Sequence, residues 1–120
     1  MIQLSIGLGY VHYGMKRQAE NRQFHIMQGL TFLRSYYQNR RKSASVAERQ
    51  EASYNMARTY HMLGLTHLAA PFYEEVLSEA QLEGNYEELK IDAAYNLQTI
   101  FSMAGNLEMA ERITSVWLTI

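Results

Sequence analysis

Apolar residues recur at helical spacing along almost the whole chain, and the polar or small-residue breaks between them predict six helices. The first covers about residues 2–16, with Leu4, Leu8, Val11 and Met15 on one face. The second covers about 21–39 and aligns Phe24, Met27, Leu30 and Leu33, followed by Tyr36 and Tyr37. Residues 14–20 between them make an indistinct turn without proline, and one long bent helix is the alternative. Residues 40–45, Arg-Arg-Lys-Ser-Ala-Ser, read as a loop. A third helix over 46–63 ends at Gly64, which suits a left-handed C-terminal position. Thr66 is placed to cap a fourth helix over 67–80, with Pro71 near its first turn. Within 81–88, Glu83-Gly84-Asn85 signals a turn. The fifth helix covers 86–104 up to Gly105, and Asn106 caps a sixth over 107–118.

The breaks are periodic. An aromatic, three residues and a glycine occur three times, as Tyr10 to Gly14, Tyr60 to Gly64 and Phe101 to Gly105. Around the second and third glycines the match extends further. Asn55 and Asn96 stand nine residues before, Ala69 and Ala110 five after, and Val76-Leu77 and Trp117-Leu118 twelve and thirteen after. Such a repeat predicts stacked helix pairs, with approximate units 1–42, 46–82 and 86–120 in a single helical-repeat domain. In each pair, small residues allow a close crossing. Ala57 and Ala69 fill that role in the second unit, with Tyr60 and Tyr73 beside them. In the last unit Phe101 and Ala110 hold the corresponding places, and Leu97 is core.

Composition narrows the function classes. The chain has 120 residues, 48% of them hydrophobic, one Pro and no Cys, so it offers neither a disulfide framework nor a thiolate metal site. No stretch reads as a signal peptide or reaches membrane-spanning length. The net charge of −1 conceals an asymmetry. Residues 1–60 hold nine Lys/Arg and three Asp/Glu, whereas residues 61–120 hold two and nine. That split is either two ordinary solvated faces or a cue for charged partners and self-association.

No catalytic constellation emerges. His12, His25, His61 and His67 lack metal-ligand spacing, and there is no nucleophile elbow. Gly7-Leu8-Gly9 is not a dinucleotide loop, and the carboxylates from Glu74 to Glu88 suit a solvated surface better than acid–base catalysis. No enzyme activity, metal or cofactor is expected. Arg34, Arg40, Arg41 and Lys42 beside Tyr36-Tyr37 form a basic patch with aromatics, a pattern that also contacts nucleic acid. Four cations without a nucleic-acid fold favour a solvated helix end instead.

The frame resembles the tetratricopeptide repeat. The second unit supplies its motif as Met56, Ala57, Tyr60, Gly64, Ala69, Tyr73 and Val76. The third supplies Leu97, Gln98, Phe101, Gly105, Ala110, Thr114 and Trp117, with Gln98, Thr114 and Trp117 departing from it. The first offers Ile6, Gly7, Tyr10 and Gly14. Its second helix fits either through Ala19 at strict spacing or, with an insertion, through Gly29, Leu33 and Tyr36. The fold expected is therefore all-α, a tetratricopeptide-like solenoid of six helices in three pairs. Longer strings narrow the resemblance: Leu4 to His12, Lys16 to Arg22 with its Gln18-Ala19-Glu20-Asn21-Arg22 block, Gln28 to Leu33, Tyr54 to Arg58, His61 to Leu65, Ala94 to Leu97, and Gly105-Asn106. These are similar to the C-terminal end of the tetratricopeptide-repeat subunit of TFIIIC, the RNA polymerase III transcription factor. The resemblance implies a non-catalytic nuclear scaffold, cut from a longer protein, with other TFIIIC subunits and TFIIIB components as partners. A free-standing adaptor or co-chaperone is the alternative, with Asn55, Arg58 and Asn96 imitating part of a carboxylate-binding set, and a nucleic-acid-contacting module is another.

The repeat frame turns the first helix of each unit toward a groove. Its expected lining is Tyr54, Arg58 and His61 from one unit and Tyr95, Asn96 and Thr99 from the next. Ile113, Val116, Trp117 and Ile120 span more than one helical face, so some of that apolar surface is expected to be exposed and to drive self-association.

Overall fold

A computed structural model describes residues 2–16, 22–78 and 87–118. Among them are six α-helices and one π-helical turn: α1 (Ile2–Lys16), α2 (Arg22–Arg41), α3 (Val46–Met62), α4 (Thr66–Ser78), α5 (Glu87–Met103), α6 (Leu107–Ile113) and the π turn Thr114–Leu118. The expected turns over 14–20 and 81–88 lie largely outside the described residues, as does Ile120. Two compact units emerge, Met1–Ser43 and Ala44–Ile120. The fold is all-helical, and its helices pack as tetratricopeptide-like pairs.

In the first unit α1 packs on α2 along most of its length. Two glycines make this possible. A Cβ on Gly29 would stand 2.6 Å from the Gly7 carbonyl oxygen, and one on Gly7 would stand 2.7 Å from Leu33 Cγ. The two backbones therefore meet at this crossing, and Val11, Leu30, Leu33 and Tyr36 are buried around it. Gly7 lies seven residues before Gly14, as Ala57 does before Gly64. Of the two sequence registers for the second helix, the packing selects Gly29, Leu33 and Tyr36. Phe24 and Met27, expected on the buried face, are 58% and 55% exposed. With the crossing fixed at Gly29, a helix of 3.6 residues per turn points both positions away from α1. Gly14 departs from the other repeat glycines, because α1 continues helically through it to Lys16.

In the second unit Gly64 and Gly105 adopt positive φ, 79° and 82°. Each closes its helix with the same pair of hydrogen bonds. The Leu65 amide donates to the Tyr60 carbonyl at 2.9 Å and the Gly64 amide to that of His61 at 3.0 Å. The Asn106 amide donates to Phe101 at 2.8 Å and the Gly105 amide to Ser102 at 3.1 Å. The sequence repeat is thus a repeat of one helix-ending motif, in which glycine avoids the penalty a Cβ meets at left-handed φ. Asn106 caps α6 as expected, its Oδ1 accepting from the Met109 amide at 3.3 Å. Ser45 caps α3 and accepts from Glu48, a Ser-x-x-Glu signature present in the sequence.

Three local expectations change. Thr66 is the first residue of α4 rather than its cap; the Leu65 carbonyl accepts from Leu68 and Ala69. Pro71 lies in the second turn of α4, where it removes the amide that would bond the His67 carbonyl, yet the helix runs on to Ser78. The last helix changes pitch at Thr114. The Thr114 hydroxyl donates to the Ala110 carbonyl at 3.0 Å and that of Ser115 to Arg112 at 3.1 Å, side-chain bonds that compete with the α-helical ladder.

The α3–α4 pair is held by apolar and polar contacts together. Ala57, Ala69, Tyr73 and Val76 are fully buried, and Tyr60 stacks on Phe72 at 5.6 Å. Gln50 Nε2 donates to the Val76 carbonyl at 3.1 Å, and the Ser53 hydroxyl to Glu75 at 2.9 Å. Helix α5 packs against α4 and touches α3, then pairs with α6 and the π turn.

The crossings yield a paired prediction. Gly29→Ala should cost about 1–3 kcal/mol by overpacking. Gly9→Ala, whose Cβ meets nothing within 4 Å, should stabilise α1 by about 0.5–1 kcal/mol. Urea titrations followed by circular dichroism check both signs. Ala69→Leu should likewise lose about 1–3 kcal/mol, and a wild-type midpoint would refute the close approach at that crossing.

Candidate functional site

The six residues expected in the groove all lie in the second unit; three of them converge on Tyr73, and a fourth bonds Tyr54. The Tyr54 ring meets the Tyr73 ring edge-on at 6.0 Å. His61 Nδ1 is 2.9 Å from the Tyr73 hydroxyl, and its ring is also edge-on, 5.8 Å away. Arg58 hydrogen-bonds Tyr73 from the exposed side of α3. Asn96 on α5 donates through Nδ2 to the Tyr54 hydroxyl at 3.4 Å, which ties the two first helices together. The spacing explains the convergence: Tyr54, Arg58 and His61 are four and three residues apart, so they form one stripe on α3.

Electrostatics sets the protonation of the cluster. Burial pushes the Tyr73 hydroxyl above the usual tyrosine range, against the opposing pull of Arg58. Tyr73 therefore keeps its proton. Arg58 donates to its oxygen, and the Tyr73 hydroxyl and His61 Nδ1 share a hydrogen bond whose direction is set by the imidazole tautomer. Burial, and next Arg58, lowers the His61 pKa below 6.5. Burial also raises Tyr54, followed by the nearby Asp92 carboxylate, while Arg58 and the Asn96 bond oppose. The result is a partly open cluster carrying one guanidinium, two phenol groups, a neutral imidazole and a carboxamide, with Asp92 at its edge. It suits the carbonyl, carboxylate and aromatic groups of a protein segment. A pocket of about 220 Å³ adjoins it, lined by His61, Thr66, Ile100, Met103 and Ala104.

Thr99 spends its hydroxyl on the Tyr95 carbonyl at 3.0 Å. Tyr95 itself is 63% exposed and belongs to no core. Sequence reasoning missed the roles of Tyr73 and Asp92. Tyr73 sits at a repeat position read only as packing, and nothing in the sequence marks that its hydroxyl reaches the groove.

The remaining sequence-predicted surfaces stand apart from this cluster. Arg34 and Lys42 are exposed, while Arg40 lies over the Tyr36 ring at 5.8 Å and Arg41 is half-buried. All four occupy α2 and the loop after it, in the first unit. At the other end of the sequence Val116 is 64% exposed and Ile113 is half-buried. Trp117 is half-buried too, with the buried Lys90 ammonium 5.6 Å from its ring centre. Among the described residues no group of His, Asp or Glu could hold a metal ion, and no helix is long and apolar enough to cross a membrane.

No family model matches the chain. Three curated relatives align along almost all of it. "Transcription factor tau subunit sfc4" of Schizosaccharomyces pombe is 39% identical over 96% of the chain. "Transcription factor tau 131 kDa subunit" of Saccharomyces cerevisiae is 36% identical over 100%. "General transcription factor 3C polypeptide 3" of Homo sapiens is 33% identical over 96%. The chain spans 12%, 11% and 13% of these relatives, respectively.

The burial of His61, with Arg58 beside it, predicts a pH response. An imidazole whose folded pKa lies below its unfolded value binds fewer protons in the fold, so stability rises with pH across that window. The chain should lose stability as pH falls through 6.5 toward the lower folded value. His61→Gln should flatten that dependence, as followed by thermal melts across a pH series.

Proposed function

We propose that this chain, which belongs by sequence to the family of tetratricopeptide-repeat subunits of the RNA polymerase III factor TFIIIC, is a non-catalytic protein-binding segment of that scaffold. It acts in the nucleus during transcription initiation, holding other TFIIIC subunits and contributing to TFIIIB recruitment. The alignment of nearly the whole chain with subunits of one transcription factor from two yeasts and human carries this reading. The groove supports it physically. Arg58 stands at the surface, bonded to Tyr73 and near Tyr54, and Arg and Tyr are the side chains that most often anchor an interface. Asn96 extends the same surface onto α5. Tyr95, by its exposure, borders the groove rather than filling it.

The test is affinity capture of purified TFIIIC and TFIIIB by the chain and by its Arg58→Ala variant. Wild type should retain subunits of these factors. Arg58→Ala should weaken capture on the order of tenfold, as for an interface anchor, while helicity and melting stay near wild type. Equal capture by both chains would remove the groove, and failure of wild type to retain either factor would remove the function.

A further inference from the structure

The basic end of α2 belongs to the first unit and takes no part in the cluster around Tyr73. The chain there runs Arg40-Arg41-Lys42-Ser43. Ser43 is the one Ser or Thr of the sequence with Arg at both the third and the second position before it. Residues 22–43 contain no Asp or Glu, so the stretch is purely cationic, and a small residue, Ala44, follows the hydroxyl.

The local backbone suits capture by an enzyme that takes its substrate as extended chain. Helix α2 ends at Arg41. Beyond it the Lys42 amide donates to the Asn39 carbonyl at 3.3 Å, and the Ser43 amide to that of Arg40 at 3.0 Å. Both bonds span three residues, the tightened geometry of a helix end, and helix ends fray readily. Lys42 and Ala44 are exposed, and Arg40, Arg41 and Ser43 are half-buried. Arg40 lies over the Tyr36 ring at 5.8 Å, a contact that is weak where solvent reaches it. Unwinding this last turn releases both guanidinium groups and the hydroxyl together. The buried anchors of α2, Leu30, Leu33 and Tyr36, all lie before it.

We propose that Ser43 is a phosphorylation site for an arginine-directed serine kinase. Guanidinium groups pair bidentately with carboxylates, and charge patterns beside the acceptor are what kinases use to select substrates. Arg40 and Arg41 are the residues read by carboxylates of the kinase. In the transfer the Ser43 Oγ attacks the γ-phosphorus of a nucleoside triphosphate held by the kinase. The new O–P bond forms as the bond to the bridging oxygen breaks. The nucleoside diphosphate leaves, and the hydroxyl proton passes to the catalytic carboxylate of the kinase. The product carries a charge of about −1.5 to −2 at neutral pH, which cancels close to half the charge of Arg34, Arg40, Arg41 and Lys42. The basic patch of the first unit is thereby a surface whose charge is switched. Ser45 is the competing hydroxyl. It is exposed and has Lys42 three residues before it, but it caps α3 by accepting from the Glu48 amide. The inference does not depend on the TFIIIC reading.

The test incubates the whole chain with ATP, magnesium and the catalytic subunit of cAMP-dependent protein kinase, an arginine-directed probe, and locates phosphate by tandem mass spectrometry. The folded chain should take up a single phosphate, on Ser43. Ser43→Ala should take up none. Arg40→Gln combined with Arg41→Gln should lower kcat/KM for the kinase on the order of a hundredfold, as for loss of paired charges, while circular dichroism shows wild-type helicity. Phosphate on Ser45 instead, a folded chain that takes up none, or a double variant phosphorylated at the wild-type rate would overturn the proposal.

Discussion

Two helices approach most closely where neither carries a side chain of any size at the crossing, and both units are organised around such a point. In the first unit the constraint is at its extreme. Gly7 and Gly29 leave no room for a methyl group, so the backbones touch and the neighbouring side chains have no freedom to choose their faces. Leu30, Leu33 and Tyr36 turn inward, and Phe24 and Met27 turn out as a consequence. In the second unit Ala57 and Ala69 are the small buried residues, and the larger Tyr60 and Tyr73 fill the space beside them. Close packing of this kind tolerates neither added nor missing volume, so the crossing sets the register of everything that follows.

The side-chain cluster around Tyr73 inherits its geometry from that register. Tyr73 is buried because it sits one turn after Ala69 on α4, and its burial brings its hydroxyl to the edge of α3. There it accepts from Arg58 and shares a hydrogen bond with His61. A side chain that packs the core at one end thus organises a polar surface at the other, as tyrosine does when its hydroxyl finds a partner. The bond from Asn96 to Tyr54 then couples α5 to the same surface. The cluster is a by-product of stacking rather than a separate construction, which is why its residues fall on α3, α4 and α5.

Much of this was legible in the residues. The glycines at 64 and 105 announced the helix ends, and Asn106 announced a cap, because those positions demand particular local chemistry. That Tyr54, Arg58 and His61 share one stripe of α3 follows from their helical spacing. Where the reading failed, tertiary or side-chain competition decided. The face of Phe24 depends on where α2 crosses α1, and that depends on a glycine pair far apart in sequence. The π turn arises from hydroxyls of Thr114 and Ser115 bonding carbonyls, a choice periodicity does not report. Pro71 lies deeper in α4 than its propensity suggests, because packing outweighs one missing hydrogen bond.

The central claim is that the stripe on α3 is the surface a partner covers. Site-specific photo-crosslinking addresses it most directly, with a photoreactive residue placed at position 58 or at position 74, an exposed position on α4. Assembled with purified TFIIIC and TFIIIB, the chain carrying the probe at 58 should form a discrete crosslink to one of their subunits, and the chain carrying it at 74 should form none. Crosslinking from 74 with silence at 58 would contradict the account and move the partner to the outer helices.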